Sequence, residues 1–361
     1  MTAVHQEPFP VHVADVTLPF RCVDAGAAPG PEAAAQFHRA WPSYRRWFLH
    51  AGEEERPSFA DCRDAVRSWM PEIYDDFRAF VDAVGGGDLE ARFLSHWCPP
   101  PLVTACSIAM QAAPAPMLVR NYDYPPSLSD ALALRTHWSG RSIIGMSDCG
   151  WGLMDGMNDA GLSIAISFGG RREVGRGFGI GLIVRYLLQV ASTTAEAIER
   201  VGDLPVQMSY NLAVVDAMGD RRVVQLAPDR PARLSPFAYA ANRQGETDWP
   251  RHAEYCNTVE REEYLASLVS FPLMDGTELV SAFLRPPLYR PLFESTWGTV
   301  YTTAYEPLTG TMTLLWPDEH WALSVHGDET GEHPRTVAAL LPDLSALRTE
   351  AHRPEGRFFL T

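Results

Sequence analysis

Residues 98–124 read CPPPLVTACSIAMQAAPAPMLVRNYDY, and the change of character within this stretch decides the fold. Cys98-Pro99-Pro100-Pro101 is a stiff stop, because proline fixes φ, removes a donor and pushes the residue before it out of the helical region. Short apolar runs follow. CSIAMQA and PMLVRNYDY, joined by the turn AAPAP, read as a β-hairpin. Upstream, helical periodicity covers 32–49 and 59–84, then breaks at Gly85-Gly86-Gly87 before the amphipathic piece DLEARFLSHW. The boundary predicts two parts: residues 1–105, mainly helical and packed on the rest, and residues 106–361, carrying the core.

Beyond the first hairpin the pattern alternates. GWGLMDGM and GLSIAISF form a second hairpin about Asn158-Asp159-Ala160, and YNLAVVDA and RRVVQLA a third. Between these lie two helices, GIGLIVRYLLQVAS and AEAIERV, the latter with Thr194 as N-cap. Next come the strand FAYAA, helices over 252–269 and 276–284, the strands WGTVYTTAYE, GTMTLLW and HWALSV, and a C-terminal helical piece. Antiparallel hairpins interrupted by paired helices predict an α+β fold, a four-layer α/β/β/α sandwich of two antiparallel sheets.

Composition narrows the function. The chain has 361 residues and a net charge of -15, which disfavours the basic face that nucleic acid requires. All 30 basic residues are arginine, so Schiff-base lysines, Walker A lysines and Ser-Lys dyads are excluded. Six scattered cysteines without a C-x-x-C pair argue against a zinc ribbon or a disulfide framework, and the histidines show no metal spacing. No 18-residue apolar run and no signal-like N-terminus occur, giving the expectation of a cytoplasmic protein with no membrane partner, no cofactor and no metal. Homo-oligomerisation is left open.

Cys106 opens an apolar strand directly after the proline stop, and Arg120-Asn121-Tyr122-Asp123-Tyr124 follows 14 residues later. A cysteine alone at such a position is a small core residue. Arg120 and Asp123 stand three apart, so in an ideal strand they point to opposite faces, and a bend or bulge after Asn121 is needed to bring both to one site. The glycines at 175, 177, 179 and 181 lack dinucleotide spacing and read as a loop entering a helix. Arg171, Arg172 and Arg176 form a basic cluster that is either an anion site or a solvated face.

Cys106, the R-N-x-D segment, the G-M-N-x-x-G-L segment at 156–162 and Ala241-Asn242 together resemble the N-terminal-nucleophile (Ntn) hydrolase family that contains acyl-coenzyme A:isopenicillin N acyltransferase. Choloylglycine hydrolase and the acid ceramidase and N-acylethanolamine amidase branch are more distant resemblances. The resemblance implies autocleavage between Ala105 and Cys106, after which the cysteine attacks a small amide or acyl thioester using its own α-amine as base. It further implies that Arg120 favours the thiolate, Asp123 orients the amine and Asn242 donates to the oxyanion. Tyr124, Ser167 and Phe168 are the implied substrate contacts, with Ser167-Phe168 standing where bile salt hydrolases carry Asn-Phe. Two other readings stand beside this one: a papain-like hydrolase pairing Cys106 with a histidine such as His320, and a silent binding protein on the same fold.

Overall fold

The computed structural model describes residues 11–270, 275–291 and 297–342. The strands are β1 (Val11–Asp24), β2 (Ala105–Gln111), β3 (Met117–Tyr124), β4 (Leu132–Thr136), β5 (Ile143–Asp148), β6 (Gly152–Asn158), β7 (Ser163–Phe168), β8 (Tyr210–Val215), β9 (Arg221–Ala227), β10 (Arg230–Ser235), β11 (Tyr239–Ala240), β12 (Gly298–Glu306), β13 (Thr311–Trp316), β14 (Glu319–Ser324) and β15 (Gly331–Pro342). The helices are α1 (Pro31–Phe48), α2 (Phe59–Trp69), α3 (Tyr74–Ala83), α4 (Asp88–Leu94), α5 (Ile180–Val190), α6 (Thr194–Gly202), α7 (Pro250–Tyr255), α8 (Thr258–Val269) and α9 (Gly276–Phe283).

Two sheets stack face to face. The larger runs β10-β9-β8-β7-β6-β5-β4-β1-β15 and the smaller runs β11-β2-β3-β12-β13-β14. β2 and β3 lie against β7, α5 and α6 cover the outer face of the large sheet, and α8 and α9 cover the outer face of the small one. The expected four layers are therefore present. Burial explains the sequence pattern: β5 to β8 are covered on both faces and read as unbroken buried runs, whereas β13 alternates. α5 is buried nearly all round, and it comes close to β6 where Gly181 meets Gly152. A Cβ added at Gly181 would stand 3.2 Å from the Gly152 Cα.

Several expectations change. The large sheet is not purely antiparallel, because β1 runs parallel to β4 while pairing antiparallel with β15. Hence the segment before Cys106 is not merely a helical layer laid on the body. It contributes an interior strand, with Phe20 and Cys22 almost wholly buried, and its helices bury Phe37, Phe48, Phe80 and Phe93 in the same core. β4 and β5 are also additions to the sequence reading. The N-cap of α6 is Thr193, whose hydroxyl accepts from the Glu196 N–H, while Thr194 donates instead to the Asp220 carbonyl. The helix expected over 252–269 is two helices, broken at Asn257, which takes a left-handed φ of 49°. Residues 331–342 form a strand rather than a helical piece, and the remainder of that expectation lies outside the described residues.

Candidate active site

β2 and β3 pair in unbroken register from Ala105↔Asp123 to Gln111↔Met117, which sets Cys106 opposite Tyr122. Directly paired residues share a face, so the Cys106 thiol looks into the gap between the sheets beside Tyr122 and Arg120. Arg120 Nη2 lies 3.2 Å from Cys106 Sγ, and Thr104 Oγ1 lies 3.6 Å from it. The guanidinium is held on every side: Nε donates to the Ile166 carbonyl at 2.9 Å, Nη1 donates to Tyr301 Oη and to Asp155, and its Cζ stands 4.6 Å from the Tyr122 ring centroid. Asp155, from β6, also accepts from Tyr301 and Tyr305. This fixed cation cannot lose its proton.

Arg120 thus stands beside the sulfur, yet its pull does not dominate. Burial pushes the Cys106 thiol up, and Arg120 only partly offsets that. The sulfur is shielded from solvent.

Asp123 does not join Arg120 on one face. The β2 and β3 register carries no bulge, and the irregularity lies in the neighbouring strand β12, between Thr299 and Tyr301. Asn121 and Asp123 point toward the helical layer, where Asn121 donates to the Phe283 carbonyl and Asp123 accepts from Thr299 Oγ1 at 2.7 Å. The second oxygen of Asp123, Oδ2, is buried without a hydrogen-bond partner, 3.8 Å from Arg261 Nη1. Burial pushes this carboxyl up, against the pull of Arg261 and Arg290.

Asn242 reaches the same residue from the loop after β11. Its Oδ1 accepts from the Cys106 N–H at 3.0 Å and from Arg261 Nη2 at 2.7 Å, so its amide nitrogen must face the other way. That nitrogen donates to the Phe168 carbonyl at 3.2 Å and, more weakly, to the Thr104 carbonyl at 3.4 Å. Gly170 makes the approach feasible: it adopts φ +73°, and a Cβ there would stand 2.3 Å from the Asn242 carbonyl oxygen.

Arg261 and Asp155 were not anticipated. Arg261, fully buried, donates to the Cys106 carbonyl at 2.5 Å, to Ser107 Oγ at 2.9 Å and to Asn242, tying the Cys106 backbone to its amide partner. It sits in VEREEYL among three glutamates, where nothing local distinguishes it from a solvated helix charge. Asp155 offered a faint signal, a lone carboxylate inside an apolar run.

The implied substrate contacts are near but differently employed. Ser167 donates to the Ala241 carbonyl at 2.6 Å and Phe168 packs edge-on to His252 and Tyr210, so both support the Asn242 loop. Tyr124 stacks on Tyr122 at 5.3 Å and meets Trp297 edge-on at 5.9 Å, forming an aromatic wall. Ala105 is buried against Cys256 and Trp297. His320 lies on β14 at the far edge of the small sheet, and among the described residues no imidazole is a partner of Cys106 Sγ, which argues against the papain-like pairing. Arg171 is paired with Asp229, and Arg172 and Arg176 lie over Trp249 and Trp97, so that cluster is committed to structure.

A cavity of about 470 Å³ opens beside the site. Tyr122, the cross-strand partner of Cys106, lines it with Tyr124 and Leu102, whose carbonyl is held by Tyr210 Oη at 2.8 Å. Cys106 itself is fully buried and reaches this cavity only by way of its strand partner Tyr122. Among the described residues, no helix is long and apolar enough to cross a membrane.

Comparison with known proteins adds an independent line. The profile of the family described as acyl-coenzyme A:6-aminopenicillanic acid acyl-transferase matches residues 112–321. Among solved structures, the chain is similar to a single-residue mutant of the conjugated bile acid hydrolase from Clostridium perfringens, with a TM-score of 0.45 and 12% identity over 63% of this chain and 96% of that one. Penicillin V acylase from Agrobacterium tumefaciens gives 0.41 and 12%, covering 61% and 86%. The Caenorhabditis elegans ortholog of N-acylethanolamine-hydrolyzing acid amidase gives 0.40 and 13%, covering 61% and 99%. No curated protein matches the sequence.

Proposed function

The chain belongs to the acyl-coenzyme A:6-aminopenicillanic acid acyl-transferase family, matched over more than half its length, and from that premise we propose that it is a self-processing acyl-amide hydrolase or transferase whose nucleophile is Cys106. The observation carrying this is the double address of one residue: its sulfur lies 3.2 Å from Arg120, while its N–H is held by Asn242, which Arg261 links to an Asp123 oxygen that has no hydrogen-bond partner.

In the first stage Cys106 Sγ adds to the Ala105 carbonyl carbon as the thiol proton leaves. The Ala105–Cys106 C–N bond then breaks, nitrogen takes a proton, and a thioester joins Ala105 to sulfur. Water attacks this thioester, giving an Ala105 carboxylate, a free thiol and a free α-amine. A buried acceptor without a donor is unfavourable by about 1–3 kcal/mol, and the ammonium created at Cys106 is the group that relieves it at Asp123. Loss of the Thr104 carbonyl from its place would leave the Asn242 amide N–H free to donate.

In the second stage the α-amine accepts the thiol proton and Sγ attacks the substrate amide. The tetrahedral oxyanion is stabilised by Asn242, the amine returns the proton to the leaving nitrogen, and the acyl group remains on sulfur. Water completes hydrolysis and an incoming amine completes transfer, since both reactions share this thioester. The N-terminal piece stays bound after cleavage because β1 lies inside the large sheet. Under native conditions the two pieces are expected to co-elute in gel filtration and to separate only in denaturant.

The test is trapping. Brief incubation with an activated aryl acyl amide should add the acyl mass to the larger piece, and hydroxylamine should remove it. The Cys106→Ala chain should remain whole and unlabelled. Turnover by that variant would overturn the assignment.

A further inference from the structure

Under the function assigned above, the first bond that Cys106 breaks is its own, and at that stage it has no α-amine to serve it. Among the described residues the sulfur has two hydrogen-bonding neighbours, Arg120 Nη2 at 3.2 Å and Thr104 Oγ1 at 3.6 Å. Arg120 is a donor only, and it is fixed to the large sheet through the Ile166 carbonyl and Asp155. Thr104 differs in kind: it is wholly buried, and it lies upstream of the bond to be cut.

The two contacts reach the sulfur from opposite ends of the strand. Side chains two apart share a face, so Thr104 and Ile108 flank Cys106 on the side that looks into the gap between the sheets. Arg120 is the cross-strand partner of Ile108 and therefore meets the sulfur from the C-terminal side. Thr104 meets it from the N-terminal side. Ala105, whose carbonyl carbon is to be attacked, lies between Thr104 and Cys106. A sulfur drawn to the guanidinium alone would lean along the strand, away from that carbon, and the Thr104 contact opposes this. Thr104 is itself anchored independently of the cysteine. Its carbonyl accepts from Asn242 Nδ2 at 3.4 Å, and the buried His252 imidazole stands beside its backbone, with Cys256 Sγ 3.5 Å from Nε2 and Phe168 edge-on to the ring.

We propose that Thr104 is a positioning residue for self-cleavage alone: its hydroxyl holds the Cys106 sulfur toward the Ala105 carbonyl carbon and has no part in the later turnover of substrate. The inference rests on the function assigned above. No bond forms or breaks at Thr104; the sulfur adds to the Ala105 carbonyl as already described, and the hydroxyl sets its approach. Attack requires reacting atoms about 3–3.5 Å apart and aligned, and a misplacement of about 1 Å costs on the order of 100-fold in rate. The restriction to the first step follows from space. Thr104, Ala105 and Cys106 are all fully buried, so a substrate carbonyl needs the place beside the sulfur that this segment fills. Cutting frees the end of the segment to leave it. The hydroxyl then no longer touches the sulfur, and the new α-amine takes the thiol proton.

Thr104→Val keeps the branched shape and removes the hydroxyl, whereas Thr104→Ser keeps the hydroxyl. Each full chain is synthesised in a cell-free extract, and loss of the 40.0 kDa precursor is followed by intact mass. The valine chain should cut about tenfold or more slowly than the parent, and the serine chain within about threefold of it. Once cut material has accumulated, kcat per active cysteine, counted by acyl trapping, should differ from the parent by about twofold at most. Equal losses in cleavage and turnover would mark a structural role and overturn the proposal. So would a valine chain that cuts at the parent rate, or a serine chain as slow as the valine. A parent chain that never cuts before Cys106 overturns the assigned function, and this inference with it, so the two failures read differently.

Discussion

The two faces of β3 carry different halves of one site. The face turned toward the large sheet holds Arg120 and Tyr122, with the Cys106 sulfur between them. The face turned toward α8 and α9 holds Asn121 and Asp123, with Arg261 bridging from Asp123 to the Cys106 carbonyl and Asn242. A strand sends successive side chains to opposite sides, so residues three apart cannot address the same atom of a neighbour. They can address different atoms of it. Here the inner face meets the Cys106 sulfur, while the outer face reaches the Cys106 backbone through Arg261 and Asn242. The expected bend after Asn121 is absent, since β2 and β3 pair without a register shift.

Substitutions on the two faces should therefore diverge. The largest effect belongs to the residue they share: Cys106→Ala should abolish cutting and lower turnover by on the order of 10⁴-fold or more, read by intact mass and steady-state kinetics. Surviving activity would end the comparison altogether. Next, Asn242→Ala removes the oxyanion donor and should reduce kcat by about 10²- to 10³-fold with little change in KM. A loss confined to KM would instead make Asn242 a substrate anchor.

The sharper test compares the faces through pH profiles of the cleaved enzyme. Asp123 favours the charged form of a neighbouring ammonium, so Asp123→Asn should lower the amine pKa and move the acid limb of kcat/KM to lower pH, by roughly one unit. Arg120→Gln removes the cation that opposes burial at the thiol, so thiolate formation should move to higher pH. Opposite shifts uphold the division, whereas shifts in one direction would merge the two faces into a single electrostatic site. Arg120→Gln also leaves Asp155 without its cation, with a stability loss of about 3–5 kcal/mol expected in urea unfolding. The smallest effect concerns the amide bridge: Arg261→Lys keeps the charge but loses the fork, and should reduce kcat by about tenfold while leaving the pH limbs in place.

What was legible in the sequence was local. The hairpin of β2 and β3 announces itself through a proline turn between apolar runs, and the four layers follow from where helices interrupt hairpins. Cys106, Arg120, Asp123 and Asn242 are found through a resemblance in spacing, and the structure brings Arg120 and Asn242 to Cys106 while Asp123 stands across from Ala105 and faces the helical layer. Illegible features depend on partners far along the chain. β1 is an interior strand only because β4 and β15 flank it, more than 100 residues downstream in the case of β4. Arg261 is buried because Cys106 and Asn242 receive its donors, although its neighbours in sequence are glutamates. The pairing of Ser167 with the Ala241 carbonyl likewise turns an expected substrate contact into a support for the Asn242 loop.

The whole mechanism depends on Cys106 presenting a sulfur to one face and a new amine to the other. N-terminal sequencing of the larger chain found after expression reads this without any substrate. Two chains of roughly 12 and 28 kDa are expected from the 40.0 kDa precursor, in proportion to length, with the larger beginning Cys106-Ser107-Ile108-Ala109. A single uncut chain, or a larger piece that starts at any other residue, would refute the double role of Cys106.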